Sequence, residues 1–274
     1  MAAERVNESE RRRWNDDRWT TAWPERERLT NTVTPHLLQA LALQPGERVL
    51  DIGCGGGGLT IAAAEAVGPN GAVVGADLSA ALLDLATQRA AAAGASNVSF
   101  VVVDAQTDQF PGAPFDVAAS QFGVMFFDEP VTAFANIRAH LRPAARLVFV
   151  CWQPVDRNPW HSSGALRRFL PPTPPPAAGK SVVGPFAFGD VAQTTAILHD
   201  AGFTEIRSEM QETTVDAPMS AVFDDWQLDF LGVPPAQHAE ARAAVQDHVD
   251  RFRIGPDLYR YPLAYIVIEA SNPE

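Results

Sequence analysis

The feature that most constrains the fold is a short apolar segment that leads into a run of glycines. Residues 49–57 read Val-Leu-Asp-Ile-Gly-Cys-Gly-Gly-Gly. Glycine tolerates positive φ and lets the backbone approach a ligand closely, and a helix beginning near Leu59 would point its N-terminal amides at the same place. The pattern predicts a buried strand and a tight loop that hold a nucleotide-like ligand, although an ordinary strand-to-helix loop has a similar local signature.

Asp51 bears on the identity of that ligand. Gly53, Gly55 and Gly58 match the dinucleotide pattern G-x-G-x-x-G, which predicts a nicotinamide-binding domain. A carboxylate two residues before the first glycine would repel a pyrophosphate, whereas it would attract a cation. S-adenosylmethionine carries a sulfonium and an ammonium and has no phosphate, so Asp51 favours this ligand.

Two more predicted strands also end at aspartates. Residues 72–76 end at Asp77, twenty residues beyond Gly57, where a ribose-binding carboxylate is expected. Residues 99–103 end at Asp104, and residues 115–122 predict a fourth strand. Each aspartate alone could be a turn or capping residue. Their regular spacing predicts a row of acidic strand ends at one edge of a parallel sheet.

With the glycine loop, these strand ends resemble those of the class I S-adenosylmethionine-dependent methyltransferases, over about residues 12–212. The resemblance implies S-adenosyl-L-methionine as cofactor and S-adenosyl-L-homocysteine as product. The cofactor-binding residues that it implies are Trp19, Asp51, Gly53, Cys54, Gly55, Gly57, Asp77, Leu78, Asp104, Ala105, Gln106, Ser120, Gln121 and Phe122.

The fold class that follows is α/β: a Rossmann-like, doubly wound, seven-stranded and mostly parallel sheet with helices on both faces. We expect an N-terminal helical cap over residues 1–45 and a methyltransferase domain over residues 46–274. Within that domain we expect a lid insertion over residues 154–187 and a helical insertion over residues 216–258, before the last strand.

Local signals predict the individual elements. Ser79 should cap a helix over residues 80–93, and Asp190 should cap one that Gly202 ends. A fifth strand is predicted over residues 146–152, after a helix that continues to Leu141. Strands over residues 205–215 and 261–270 should form the antiparallel pair that the family usually has. Where the family usually has Gly-Gly, the chain has Ala144 and Ala145.

The segment from Pro154 to Pro185 is proline-rich and lacks clear periodicity, so it is either a lid or a linker. Its place after the fifth strand puts it above the ligand-binding edge of the sheet and favours a lid. Aromatic residues follow the fourth and fifth strands, as in a bacterial subgroup of these enzymes that methylates specialised metabolites and peptide carboxylates. The predicted substrate-binding residues are Trp14, Phe126, Trp152, Trp160, Arg167, Arg168 and Phe186.

The implied reaction is an in-line displacement at the sulfonium methyl group by an oxygen, nitrogen or carbon nucleophile. Positioning the reactants supplies much of the catalysis, and a general base assists an alcohol or phenol. His161, at the start of the lid, is the candidate base, although a single loop histidine is often only a surface residue. Arg167 or Arg168 could pair with a carboxylate on the acceptor, which would favour esterification.

Composition limits the partners. The net charge is −12 and the pI is about 4.9, so we expect neither nucleic acid nor a membrane surface as a partner. Cys54 and Cys151 show no pairing or metal-site spacing, and the histidines are scattered, so we expect no metal and a cytoplasmic location. The expected partner is a small-molecule or peptide substrate, bound by a monomer or homodimer.

Three functions therefore remain open from the sequence. The first is a class I methyltransferase, the second an NAD(P)-dependent oxidoreductase, and the third a catalytically silent protein that only binds S-adenosylmethionine. Asp51 and Asp104 favour the first over the second. A lid favours the first over the third, because a protein that only binds the cofactor needs no enclosed acceptor cavity.

Overall fold

A computed structural model of the protein describes residues 7–171 and 183–274. A single mixed sheet organises the described chain. Its strands are β1 (Arg48–Ile52), β2 (Ala72–Asp77), β3 (Val98–Val102), β4 (Phe115–Gln121), β5 (Leu141–Trp152), β6 (Thr204–Ala217), β7 (Arg253–Gly255) and β8 (Leu258–Ser271).

The strand order is β3-β2-β1-β4-β5-β8-β6, and β7 pairs with β8. The strands from β3 to β5 are parallel, whereas β8 is antiparallel to β5, β6 and β7. The chain order reverses between β1 and β4, and open α/β sheets bind ligands at the carboxyl ends of the strands beside such a reversal. The Rossmann-like fold and the antiparallel last pair agree with the sequence prediction.

The helices of the described residues cover both faces of the sheet and also precede and interrupt it. They are α1 (Glu8–Trp14), α2 (Asp17–Asn31), α3 (Thr34–Leu41), α4 (Gly58–Val67), α5 (Ala80–Ala92), α6 (Pro130–Ala139), α7 (Ser163–Leu166), α8 (Val191–Asp200), α9 (Trp226–Phe230) and α10 (His238–Asp250). Among these residues no helix is both long enough and apolar enough to cross a membrane.

Two predicted helix starts have the expected caps. The Ser79 hydroxyl accepts a hydrogen bond from the Leu82 amide at the start of α5, and Asp190 accepts from two amides at the start of α8. The central strands are almost wholly apolar, because helices cover them on both sides. This buried centre fixes the strand ends that carry the aspartates.

The structure corrects two predicted boundaries. The fifth strand begins at Leu141, which pairs with Phe115, and the preceding helix ends at Ala139. The short strand β7 is an eighth strand, within a region predicted to be helical. It forms because Gly255 pairs with Leu258 across a tight turn, which also extends β8 beyond its predicted start.

The segment after β5 is more ordered than the sequence indicates. The Asn158 side chain is fully buried and donates to the carbonyl oxygens of Gln153 (2.9 Å) and Ala264 (2.8 Å), and its Oδ1 accepts from the Ala264 amide (3.0 Å). These bonds anchor residues 154–170 to β8, so this part is not a structureless loop. Residues 172–182, with most of the proline run, lie outside the described residues.

Candidate active site

Three glycines shape the loop after β1. Gly53, Gly55 and Gly57 have φ values of 66°, 52° and 79°, in the left-handed region that other residues rarely adopt. A Cβ atom on Gly55 would lie 2.3 Å from the Trp23 ring of α2, and one on Gly53 would lie 2.7 Å from the Gly123 Cα atom. The loop is therefore closed in by the helix before the sheet and by the backbone after β4.

Asp51 lies at the end of β1 with its side chain buried. Its Oδ2 accepts a hydrogen bond from the Thr60 hydroxyl at 2.6 Å, and its Oδ1 has no partner among the described residues. Burial raises the pKa of Asp51 to about 7, and the nearby Asp77 carboxylate adds to this effect. An unpaired carboxylate oxygen at this position can be satisfied by a cationic ligand.

Asp77 at the end of β2 organises the same loop. Its Oδ2 accepts from the Gly55 amide at 2.8 Å and its Oδ1 from the Ser79 amide at 2.9 Å. Each oxygen keeps a lone pair for a ligand hydroxyl. Burial raises the pKa of this carboxyl, while the amide hydrogen bonds oppose that rise. Asp77 can therefore both hold the loop and accept hydrogen bonds from a bound diol.

Asp104 follows β3 and is also buried. Its Oδ1 accepts from the Gln106 amide at 3.0 Å, and its Oδ2 lies 3.7 Å from an Nη atom of Arg11 on α1. The Gln106 side chain accepts from the Glu129 amide and so holds this loop against α6. The third acidic strand end is therefore in contact with the N-terminal helices.

A cavity of about 410 Å³ lies over these strand ends, within the size range of small-molecule sites. The structure brings fifteen of the predicted site residues to its walls. They are Trp14, Trp19, Asp51, Gly53, Cys54, Asp77, Leu78, Asp104, Ala105, Gln121, Phe122, Phe126, Trp152, Trp160 and His161.

Several predicted site residues do not line this cavity but support it. The Ser120 hydroxyl donates to the Ile52 carbonyl at 2.7 Å and accepts from the Gly123 amide, so it joins the ends of β1 and β4. Phe186 packs edge-to-face against His161, with ring centroids 4.9 Å apart. The loop after β1 depends on the positive φ of Gly55 and Gly57, and the loop after β3 is held by Gln106.

The structure does not bring Arg167 and Arg168 to the cavity, contrary to the prediction that they contact the acceptor. Both side chains are exposed, and Arg168 forms an ion pair with Glu240 at 2.7 Å. Their orientation follows from the packing of the turn, because Leu166 and Phe169 occupy its buried positions. The arginines therefore point outward, toward α10.

Aromatic rings form much of the cavity wall. The Trp14 ring lies 4.9 Å from Trp19 and 5.1 Å from Phe126, between centroids. Phe122 stacks on Trp152 with centroids 4.0 Å apart. Phe122 also has a φ of 63°, which is a strained value for an aromatic residue and occurs here directly at the site. This wall suits a flat, apolar acceptor.

His161 reaches the cavity, but its surroundings do not suit the predicted general base. Burial lowers its pKa to about 4, and the charge of Arg26 lowers it further. Its Nδ1 accepts a hydrogen bond from the Ser163 amide at 3.3 Å, so the proton of the neutral ring lies on Nε2. At neutral pH the ring is an uncharged hydrogen-bond donor and a weak base.

Some cavity residues were missed from the sequence. On α2, Trp23, Arg26 and Thr30 join Trp19 on one helical face, at spacings of four, three and four residues. Gln227 and Phe230 come from α9, far away in the chain. For the residues of α2 the sequence did contain a signal of a shared face, since aromatic and polar residues recur there at helical spacing.

The cavity fits S-adenosylmethionine on its donor set. Buried carboxylates without counterions are unfavourable, and two of them, Asp51 and Asp77, meet at one end beside Asp104, which is paired with Arg11. A cationic ligand with a diol would offset that cost, whereas a dinucleotide pyrophosphate would increase it. No group of three potential metal ligands occurs in residues 7–171 and 183–274.

Comparison with known proteins also indicates a methyltransferase. A model of the methyltransferase domain family matches residues 49–144. Nocamycin O-methyltransferase of Saccharothrix syringae is 30% identical over 250 residues, which cover 85% of this chain and 89% of that protein. Aklanonic acid methyltransferase DauC of Streptomyces sp. (strain C5) is 37% identical over 127 residues, which cover 46% of this chain and 54% of the relative.

The fold also matches that of a solved structure. Phosphoethanolamine N-methyltransferase 2 of Haemonchus contortus, in complex with S-adenosyl-L-methionine, aligns with a TM-score of 0.54 and 17% identity. The alignment covers 89% of this chain and 53% of that chain. The relatives named above decide against the oxidoreductase and the silent binding protein. The chain is an enzyme and belongs to the class I S-adenosylmethionine-dependent methyltransferases.

Proposed function

We propose that this enzyme transfers a methyl group to an oxygen atom of a small specialised metabolite. One observation carries the proposal: a single cavity joins the acidic strand ends to an aromatic wall built from α1, α2, the segment after β5 and α9. Cofactor and acceptor would therefore meet inside one enclosed space. The name of the nocamycin O-methyltransferase supports oxygen as the nucleophile, ahead of nitrogen or carbon.

Three carboxylates would hold the cofactor. Asp51 offers its unpaired Oδ1 to the ammonium group, Asp77 offers both oxygens to the ribose hydroxyls, and Asp104 accepts from the adenine amine. Asp104 lies near Arg11, so α1 would adjust when adenine binds. The remaining predicted cofactor residues act by shaping the loop and by closing the cavity around the ligand.

S-adenosylmethionine supplies the electrophilic methyl group. The protein's contribution is to place the acceptor oxygen in line with it and to keep water out, and such positioning is worth roughly 7–11 kcal/mol of the barrier. Phe122, Trp152 and Trp160 would hold a flat acceptor against the methyl group. His161 would orient the acceptor through its Nε2–H rather than remove a proton.

The peripheral segments would form the acceptor site. In this proposal residues 1–45 are a cap, residues 154–187 a lid, and residues 216–258 an insertion that completes the wall. The contact of Trp19 with Trp226 and Phe230 joins the cap to the insertion, with centroid distances of 5.0 and 6.1 Å. A bound acceptor would contact the described parts of all three segments.

The setting of the enzyme is part of the same proposal. A bacterial biosynthetic role is supported by the relatives named above, which both come from bacteria. The net charge of −12 argues against nucleic acid as the acceptor. A cytoplasmic location agrees with the two free, buried cysteines. Either a monomer or a homodimer is compatible with a site built within one chain.

The test is ligand-dependent thermal stabilisation. S-adenosylhomocysteine at 100 times its Kd should stabilise the protein by about 2.7 kcal/mol, and NAD and NADP should have no effect. Isotope-labelled S-adenosylmethionine should then transfer its label to a hydroxylated or acidic aromatic compound. Stabilisation by NAD without any by S-adenosylhomocysteine would overturn the proposed function. Label found only on amine acceptors would overturn the choice of oxygen.

A further inference from the structure

Arg26 is a cation in the cavity wall without a counterion. Its Nη2 donates to the Gln227 Oε1 at 2.5 Å and its Nη1 to the Ala221 carbonyl at 3.5 Å. Its Nε is buried and has no hydrogen-bond partner. No carboxylate of the described residues lies within ion-pair distance of this guanidinium. Arg26 lines the cavity, so its unused donors are close to any ligand bound there.

Several other partly buried arginines are paired with carboxylates, although Arg138 donates only to neutral oxygens. Arg89 bonds to Glu27 at 2.7 Å and Arg146 to Glu47 at 2.7 Å. Arg13, which also lines the cavity, lies 3.3 Å from Glu10. An unpaired charge in a buried site is costly, so folds normally provide it with a counterion. Arg26 has no such partner, and it lines a cavity in which a ligand could provide the counterion.

The guanidinium stays charged at neutral pH. Burial lowers its pKa to about 10, and the more distant Asp224 opposes this shift only partly. The His161 ring beside it is neutral. Of the acidic residues that line the cavity, Asp51, Asp77 and Asp104 lie at the strand ends, and Glu27 of α2 lies beside the glycine loop and is paired with Arg89. The cavity is therefore polarised, with carboxylates at one end and an uncompensated cation in the cap.

We propose that Arg26 binds an oxygen anion on the acceptor, and that the acceptor class of this enzyme is therefore acids: carboxylates or ionised enols. The inference rests on the proposed function and narrows it. The guanidinium fork matches an oxygen anion in shape and charge. The part of the cavity lined by Arg26 and Gln227 then binds the acceptor. The products are methyl esters or enol ethers.

The chemistry of an anionic acceptor agrees with the site. A lone pair of the acceptor oxygen forms the new O–C bond, the C–S bond breaks, and its electron pair stays on sulfur. No proton leaves, so the reaction needs no base, and the weakly basic His161 is sufficient as a donor. The acceptor charge is neutralised during transfer, so Arg26 contributes to acceptor binding more than to the chemical step.

The test compares matched acids and neutral compounds on protein saturated with S-adenosylhomocysteine. The probes are naphthoate with naphthamide, and an acidic hydroxycoumarin with its O-methyl ether. Binding is measured by calorimetry for the wild type, Arg26→Gln, Arg26→Lys and the control Arg28→Gln. Arg28 lies on the same helix but is exposed and paired with Glu25, so its loss changes the net charge without changing the cavity.

The wild type should bind at least one anion about tenfold or more tightly than its neutral partner. Arg26→Gln should remove that preference, Arg26→Lys should keep much of it, and Arg28→Gln should leave it unchanged. The carboxylate and enol pairs distinguish the two acid types. S-adenosylhomocysteine affinity, measured separately, tests the proposed function and the folding of each variant. A wild type in which no anion binds better than its neutral partner overturns the inference, as does an Arg26→Gln protein that keeps the preference.

Discussion

The Thr60 hydroxyl donates a hydrogen bond to Oδ2 of Asp51, and Oδ1 of the same carboxylate is buried without a partner. Burial favours the protonated form and raises the pKa of Asp51 to about 7, while the Thr60 hydrogen bond favours the ionised form. A cationic ligand that contacts Oδ1 also favours the ionised form. Ligand affinity, pH and Thr60 are therefore linked through one carboxylate.

We predict that S-adenosylhomocysteine affinity rises with pH and levels off above about pH 7, by at most about tenfold per pH unit. Below that pH, binding of the ammonium group must displace a proton from Asp51. Thr60→Val should move the pH at which affinity levels off to a higher value, because it removes the hydrogen bond that lowers the pKa of Asp51. The Asp51→Asn variant should bind S-adenosylhomocysteine weakly, and its affinity should not change with pH in this range. Calorimetry across this pH range checks the prediction, and a flat wild-type profile contradicts it.

The same group makes ligand-free stability depend on pH. The pKa of Asp51 is about 7 in the fold, against an ordinary value of 3.8 for an aspartate in water. The folded state therefore binds the proton more tightly, so this contribution is fully present below about pH 4 and is lost as pH rises through about 7. Each pKa unit corresponds to about 1.4 kcal/mol. Denaturant titrations at several pH values should show this decline in the wild type and its absence in Asp51→Asn.

Asp77→Ala should weaken S-adenosylhomocysteine binding by about 1.5–3 kcal/mol, the range for a hydrogen bond to a charged group. The change removes the acceptors for the Gly55 and Ser79 amides as well as those proposed for ribose. Asp84→Ala on the exposed face of α5 is the control and should have no effect. Calorimetry provides the measurement. Unchanged affinity in a folded Asp77→Ala protein would remove Asp77 from the cofactor site.

Ala144→Gly should stabilise the protein by about 0.5–1 kcal/mol. Ala144 is exposed and has a φ of 59°, where an L-residue is strained by about 1–2 kcal/mol; the flexibility of glycine in the unfolded chain offsets part of the gain. The adjacent Ala145 is buried and lacks positive φ, so Ala145→Gly should destabilise. Thermal unfolding distinguishes the two variants. Equal destabilisation by both would contradict the strained positive φ at Ala144.

Asn158→Ala should lower the free energy of unfolding by about 1–3 kcal/mol, because the buried Ala264 amide and the Gln153 carbonyl lose their hydrogen bonds to this side chain. Val155→Ala is the control in the same segment, since that side chain is exposed. Chemical denaturation measures both. If Asn158→Ala is as stable as the control, residues 154–170 are a loose lid and not an anchored one.

Much of the cavity end that is formed by the strand ends and the glycine loop, the cofactor end, could be predicted from the sequence, because its signals are local. Asp51, Asp77 and Asp104 each follow an apolar strand, and the glycine loop and the Ser79 cap are read within a few residues. The sheet order then brings these distant segments together at one edge. Parallel strands place their carboxyl ends on the same side, so the strand pattern alone implied that meeting.

The opposite end of the cavity, which contains Arg26 and Gln227 and is the proposed acceptor site, could not be predicted in the same way. Arg26 and Gln227 are 201 residues apart, and their contact depends on how α2 and α9 pack. Charged residues in the turn after α7 were assigned to the site by proximity in sequence. Which of them face inward is decided by Leu166 and Phe169, whose burial turns Arg167 and Arg168 toward solvent. Tertiary packing, and not local pattern, sets these directions.

The two ends of the cavity also have different structural origins. The cofactor end is built from strand termini in the buried centre of the sheet, where almost any substitution disturbs the packing of the fold. Arg26 and part of the aromatic wall come from helices that lie outside the sheet. Selection can therefore alter the proposed acceptor site through Arg26 of α2 and Gln227 of α9 while the aspartates at the strand ends are preserved. A scaffold divided in this way is well suited to diversification, and libraries aimed at new acceptors should vary those two positions first.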